Sequence, residues 1–205
     1  MRRLTHLMIA SCLGLALSGS AFAESALRWK LTIQPDTSGR NASGRVLVTP
    51  KKGPQQVFWF FIYTVKNTHD EAVPLQLHFK AETDATRDEV YSEGYYPLAL
   101  AKVRKKYGED VKDALALKGH ELAPGDTVRA VAVFQFRRTE SREFDERIDH
   151  LKLRVLGYAD PVKRIRQTFV VEPIELWMHY EKIGDQFAPN KESVRYLYSE
   201  EKILR

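Results

Sequence analysis

Apolar residues recur along most of this chain with a period of two, and in one stretch they fill both parities at once. Val57-Phe58-Trp59-Phe60-Phe61-Ile62-Tyr63-Thr64-Val65 puts Val57, Trp59, Phe61, Tyr63 and Val65 on one side of an extended strand. Phe58, Phe60, Ile62 and Thr64 fall on the other side, because successive strand residues point to opposite faces. A strand with one wet face alternates apolar with polar, so this stretch predicts a central strand covered on both faces. Each large side chain buried there contributes roughly 1.5–3 kcal/mol, enough for the rest of the chain to be arranged around it.

The neighbouring stretches predict strands of the half-solvated kind. Leu27, Trp29, Leu31 and Ile33 alternate with Arg28, Lys30, Thr32 and Gln34, and a short strand follows over 46–49 after a polar loop over 35–44. The turn Asn67-Thr68-His69-Asp70-Glu71 leads into Leu75, Leu77, Phe79 and Ala81, which oppose Gln76, His78, Lys80 and Glu82 and predict a hairpin with the central strand. Residues 95–118 break the period. Leu98, Leu100, Ala101 and Val103 approach helical spacing, Pro97 suits a first turn and Gly108 a stop, so a helix is expected over 97–107 and a second short one over 109–117. Its apolar side is expected to cap one face of the central strand, with Lys102, Arg104, Lys105 and Lys106 toward water.

Strands resume after Pro124-Gly125-Asp126. The stretch 128–136 is apolar on both parities at Val131, Ala132, Val133 and Phe134, which predicts a second interior strand. A charged loop over 137–149 precedes Leu151, Leu153 and Val155. A turn over 157–161 is followed by a last long strand carrying Phe169, Ile174, Leu176, Met178 and Tyr180, interrupted at Pro173. The body is expected over 24–182, and 183–205 reads as a mixed tail packed on it or extending it.

Composition adds a destination. Arg2 and Arg3, an apolar middle over 7–17 and Ala21-Phe22-Ala23 read as a secretory signal peptide over 1–23, with a periplasmic product. A competing reading makes Ile9-Ala10-Ser11-Cys12 a lipidation box. No later segment approaches the about 20 apolar residues of a membrane-spanning helix. Cleavage removes the only cysteine and lowers the net charge from +5 to +3. A disulfide-free core must therefore hold the fold, and so mild a basic bias gives no reason to expect nucleic acid.

Seven or eight short strands, turn signals between them and no regular strand–helix alternation predict a mainly β, antiparallel immunoglobulin-like sandwich with a helical insertion at 95–118; a closed barrel is the alternative. Trp59-Phe60, Tyr63-Thr64-Val65 with Asn67, the helix ending at Tyr107-Gly108, the turn over 122–125 and Gly184-Asp185-Gln186-Phe187 resemble a group of exported bacterial proteins of uncharacterised function. The resemblance spans most of the chain from Val57 onward. It implies an exported sandwich and brings no catalytic residues with it.

Chemistry is sparse. There is no Gly-x-Ser-x-Gly elbow, no His-Glu-x-x-His and no phosphate-cradling glycine loop, so the chain reads as a non-catalytic protein with no cofactor or metal assigned. His78 and His179 are ligand candidates only if their strands are neighbours, and Met178 shares the apolar parity of Leu176 and reads as core. Asn41-Ala42-Ser43 matches a glycosylation sequon. Tyr91, Tyr95 and Tyr96 cluster beside Lys102, Arg104, Lys105 and Lys106, a combination of rings and donors suited to sugars, peptides or anionic polymers. Packing of the insertion onto the sandwich accounts for the same tyrosines. Trp177 is either a partner surface or a ring covered by Tyr196 and Tyr198. The favoured function is an exported module binding an envelope protein or polymer, followed by a carbohydrate or anionic-polymer binder, then an enzyme.

Overall fold

The doubly apolar stretch is a strand, β3 (Gln56–Asn67), with Phe58 through Tyr63 and Val65 all buried. The computed structural model describes residues 25–37, 43–85, 89–136, 148–165, 168–171, 173–183 and 193–204. One edge of β3 is served in relay by β1 (Ser25–Pro35) and β2 (Ser43–Val48), which pair with its second and first halves. The other edge pairs with β9 (Thr127–Phe134). Further out in this first sheet come a short parallel strand, β7 (Lys112–Asp113), and the hairpin of β11 (Ala159–Ile165) and β12 (Thr168–Val171), which extends the N-terminal half of β1.

The second sheet contains β5 (His78–Thr83), β6 (Tyr91–Ser92), β10 (His150–Leu156), β13 (Ile174–Ile183) and β14 (Ser193–Ile203) in the order β14-β13-β10-β5-β6. A two-residue ladder joins β4 (Val73–Pro74) to β8 (Glu121–Leu122). The molecule is thus mainly β, with antiparallel sheets consistent with a β-sandwich. The odd-numbered side chains of β3, among them Trp59, Phe61 and Tyr63, meet Phe79, Leu153 and Tyr180 of the second sheet in the principal core. The even-numbered side chains build a second core: Phe58, Phe60 and Ile62 join Val131 and Val133 of β9 beneath the helix α1 (Pro97–Tyr107). Burial of both faces of β3, and a helix capping one of them, follow the sequence pattern.

Several elements depart from it. The strand after β3 does not form a hairpin with it: β5 pairs with β10 and β6 in the opposite sheet. Leu75 and Leu77 are buried as the chain crosses over, so the alternation reported the buried face correctly and not the partner. In place of a second helix over 109–117 there is β7 and a turn. Asp113 is buried and its Oδ1 accepts hydrogen bonds from the backbone N–H of Leu115 and Ala116 at 2.7 and 3.2 Å, which offers the backbone an alternative to helix. On α1 the buried residues are Ala99, Leu100 and Val103, whereas Leu98 and Ala101 face water. Pro173 does not interrupt one strand. It separates β12 from β13, which pair with different partners. The turn expected over 157–161 contains the start of β11, and the mixed tail contains β14, the edge strand of the second sheet.

The predicted signal peptide with Cys12, Asn41 and Ala42 of the sequon, residues 137–147 of the charged loop, and Gly184 to Phe187 lie outside the described residues.

Candidate functional site

The helix α1 is held at both ends by the chemistry of its own sequence. At the start, the Tyr96 ring packs on Phe58 with centroids 4.8 Å apart; at the end, Tyr107 packs on Phe60 at 5.4 Å. Beyond the last turn, Arg129 of β9 donates through Nη1 to the Tyr107 carbonyl at 2.8 Å and forms ion pairs with Asp36 at 2.6 Å and Asp110 at 3.3 Å. Arg104 is half-buried, its Nε donating to the Val111 carbonyl at 2.9 Å. Rigid anchoring of one face fixes what the other face presents.

That outer face carries Lys102, Lys105 and Lys106 exposed to water, with no acidic residue anywhere in the helix. Lys102 Nζ reaches the Leu47 carbonyl on β2, so the stripe abuts the end of that strand, from which the exposed turn residues Lys51 and Lys52 follow. Lys106 Nζ sits 5.0 Å from the centre of the Tyr107 ring. At the other end of the helix, Tyr95 and Leu98 are 63% and 59% exposed, with Pro97 and Ala101 exposed between and beside them.

The tyrosines expected to cluster do not share one environment. Tyr95 is exposed, Tyr96 packs into the helix core, and the Tyr91 ring lies 5.1 Å from Phe136, against the principal core, with its hydroxyl donating to Glu89. Lys51 and Lys52 lie in the exposed turn between β2 and β3. They follow β2, whose Leu47 carbonyl meets Lys102, an approach that spacing does not encode.

A second constellation, on the outer face of the second sheet, draws on three strands. Arg154 of β10 makes a two-pronged ion pair with Glu175 of β13, at 2.9 and 2.7 Å, and reaches Glu82 of β5 at 2.7 Å. Trp177 Nε1 donates to Glu175 at 2.7 Å, and the ring is covered by Lys202 Nζ at 3.6 Å from its centre. Burial would raise the Glu175 pKa. The hydrogen bonds from Arg154 and Trp177, with the charges of Arg154 and Lys80, outweigh it and hold the carboxyl below its ordinary value. The Glu175 side chain is 1% exposed although it points outward from the sheet. Trp177 is therefore covered, and by cations of its own face. Tyr198, which the sequence offered as a cover for it, stacks instead on His179 with centroids 4.3 Å apart.

His78 and His179 do not meet. β10 runs between their strands; His78 Nδ1 lies 3.1 Å from Lys118 Nζ, and His179 Nε2 lies 3.1 Å from Glu200. Among the described residues no group of three or more His, Cys, Asp or Glu is placed to hold a metal ion. Met178 is fully buried in the principal core. Among the described residues no helix is long and apolar enough to cross a membrane. No protein-family model, curated protein or solved structure matches this chain.

Proposed function

We propose that the protein is an exported, non-catalytic binding module of the bacterial envelope, built on an immunoglobulin-like sandwich, whose recognition surface is the outer face of α1. The observation that carries this reading is the acid-free stripe of Lys102, Lys105 and Lys106, fixed from behind by its own core. Such a surface suits an acidic envelope component, because clustered charge of one sign raises the local concentration of the opposite charge. The resemblance to exported bacterial proteins and the signal-like start supply the compartment. Tyr95, with its ring free in water, favours a second reading in which the acidic partner is a polysaccharide.

The test is retention of the purified chain, without its predicted signal segment, on immobilised heparin as a general polyanion. The wild type should elute only as salt rises, and Lys102→Glu/Lys105→Glu/Lys106→Glu should pass through unretained with its circular dichroism unchanged. Wild-type flow-through at low salt, or unaltered retention of the folded variant, would refute the assignment of this surface.

A further inference from the structure

The basic stripe does not stand alone on its helix. Tyr95, Pro97, Leu98 and Ala101 form an exposed apolar cap at the N-terminal end of the same face, and Leu98, Ala101, Lys102 and Lys105 follow one another at the i, i+3, i+4, i+7 spacing of a single helical stripe. A leucine 59% exposed, on a helix with Ala99, Leu100 and Val103 fully engaged beneath it, is not left over from an unfilled core. A soluble, hydrated polyanion satisfies the lysines and leaves Leu98 in water. A lipid surface satisfies both, because anionic headgroups meet the ammonium groups while the apolar side chains enter the boundary below them.

We infer that α1 docks the protein on the surface of a bilayer containing anionic phospholipid, with Leu98 and Tyr95 entering the headgroup layer and Lys102, Lys105, Lys106, Lys51 and Lys52 against the phosphates. The inference rests on the reading that this face is the recognition surface, and adds its occupant. Of the acids that flank the helix in sequence, Glu93 pairs with Lys118, Asp110 pairs with Arg129, and Glu109 lies past the helix end. The protein stays peripheral. One short helix packed on a β-sheet lies in the plane of the interface and does not cross it.

Co-sedimentation with vesicles of phosphatidylcholine, with and without a minority of phosphatidylglycerol, tests this beside heparin retention and competition by inorganic phosphate. Binding should require phosphatidylglycerol, weaken as salt rises, and resist phosphate at concentrations that leave ionic strength matched. Each positive charge removed at the surface should lower partitioning about fivefold, which Lys51→Gln and Lys52→Gln measure away from the helix itself. Leu98→Ser, a change at an exposed site, should lower vesicle partitioning several-fold and leave heparin retention unchanged. Vesicle binding indifferent to Leu98→Ser and Tyr95→Ser overturns the lipid proposal, as does heparin retention without vesicle binding; in either case the basic recognition surface stands. Failure on both heparin and vesicles removes the two together.

Discussion

Asn67 shows how much one side chain at the end of β3 organises. It is fully buried, its Nδ2 donates to the carbonyls of Glu71 and Leu122 at 2.8 Å each, and its Oδ1 accepts from the His69 N–H at 2.9 Å. Its own backbone bonds to the turn over 125–126 through the Asp126 carbonyl and the Gly125 N–H. The amide thus ties together two turns far apart in the chain, 55 residues separating it from Leu122. Asn67→Ala takes the donor from the buried bond to the Leu122 carbonyl and from the part-buried one to Glu71, so urea unfolding should show a loss of about 2–4 kcal/mol. A loss below about 0.5 kcal/mol, the range of ordinary surface changes, would show the tie to be dispensable. Glu175 is the second residue whose role is energetic. Its pKa is lowered in the fold, so its contribution is complete above the ordinary carboxylate value of about 4.3 and disappears as pH falls through the lowered one. Glu175→Gln should therefore cost about 2–4 kcal/mol near neutrality and progressively less in acid, as chemical denaturation measured across that range would show. A penalty that stays constant with pH would mean that charge is not what Glu175 supplies. The sequence showed Asn67 only as a turn residue and offered no partner for Glu175. Their partners lie tens of residues away, beyond what local spacing carries.

At the scale of elements, alternation told which face of each strand is buried and was silent on pairing. Leu75, Leu77, Phe79 and Ala81 are all buried as their parity required, yet the chain carries them to the opposite sheet. The crossing segment passes close to the β10–β11 turn. Gly157 has φ +73°, and a Cβ built on it would lie 2.2 Å from the backbone oxygen of Gln76. Gly125, with φ +79°, has nothing within 4 Å of the same position. Gly125→Ala should thus cost about 1–2 kcal/mol, the penalty for a left-handed conformation. Gly157→Ala adds displacement of backbone and should be the more destabilising by at least about 1 kcal/mol in thermal or urea unfolding. Equal losses would mean that the crossover adjusts freely. The helix was legible from Pro97, Val103 and Gly108, but its phase was not fully so, since Leu98 had the look of a core residue and lies on the outside. The missed strand β14 carries Arg195, Glu200, Glu201 and Lys202 among its residues, the charged decoration typical of an edge, and that masks the period of two.

For the molecule as a whole, the legible part was the one set by burial: a strand dry on both sides demands a layer on each, and β3 has a sheet on one side and a helix on the other. The candidate surface was legible in its cations and not in its boundary. Lys102, Lys105 and Lys106 could be placed on one helical face from spacing, whereas Tyr91 belongs to a different environment and the approach of β2 to Lys102 comes only with tertiary structure. The relay of β1 and β2 along a single edge of β3, and the pairing of β3 with β9 across a long excursion that includes the helix, have a kinetic meaning as well. Some pairings are local, such as β2 with β3 and β13 with β14, but β3 with β9, β1 with β11 and β5 with β10 span long stretches of chain, so large loops must close before contact energy rewards them, and such chains collapse to their final shape slowly. A polypeptide of this design spends an appreciable time with its richest aromatic segment uncovered, and its passage to maturity is a race between closure of that segment and its capture by other chains.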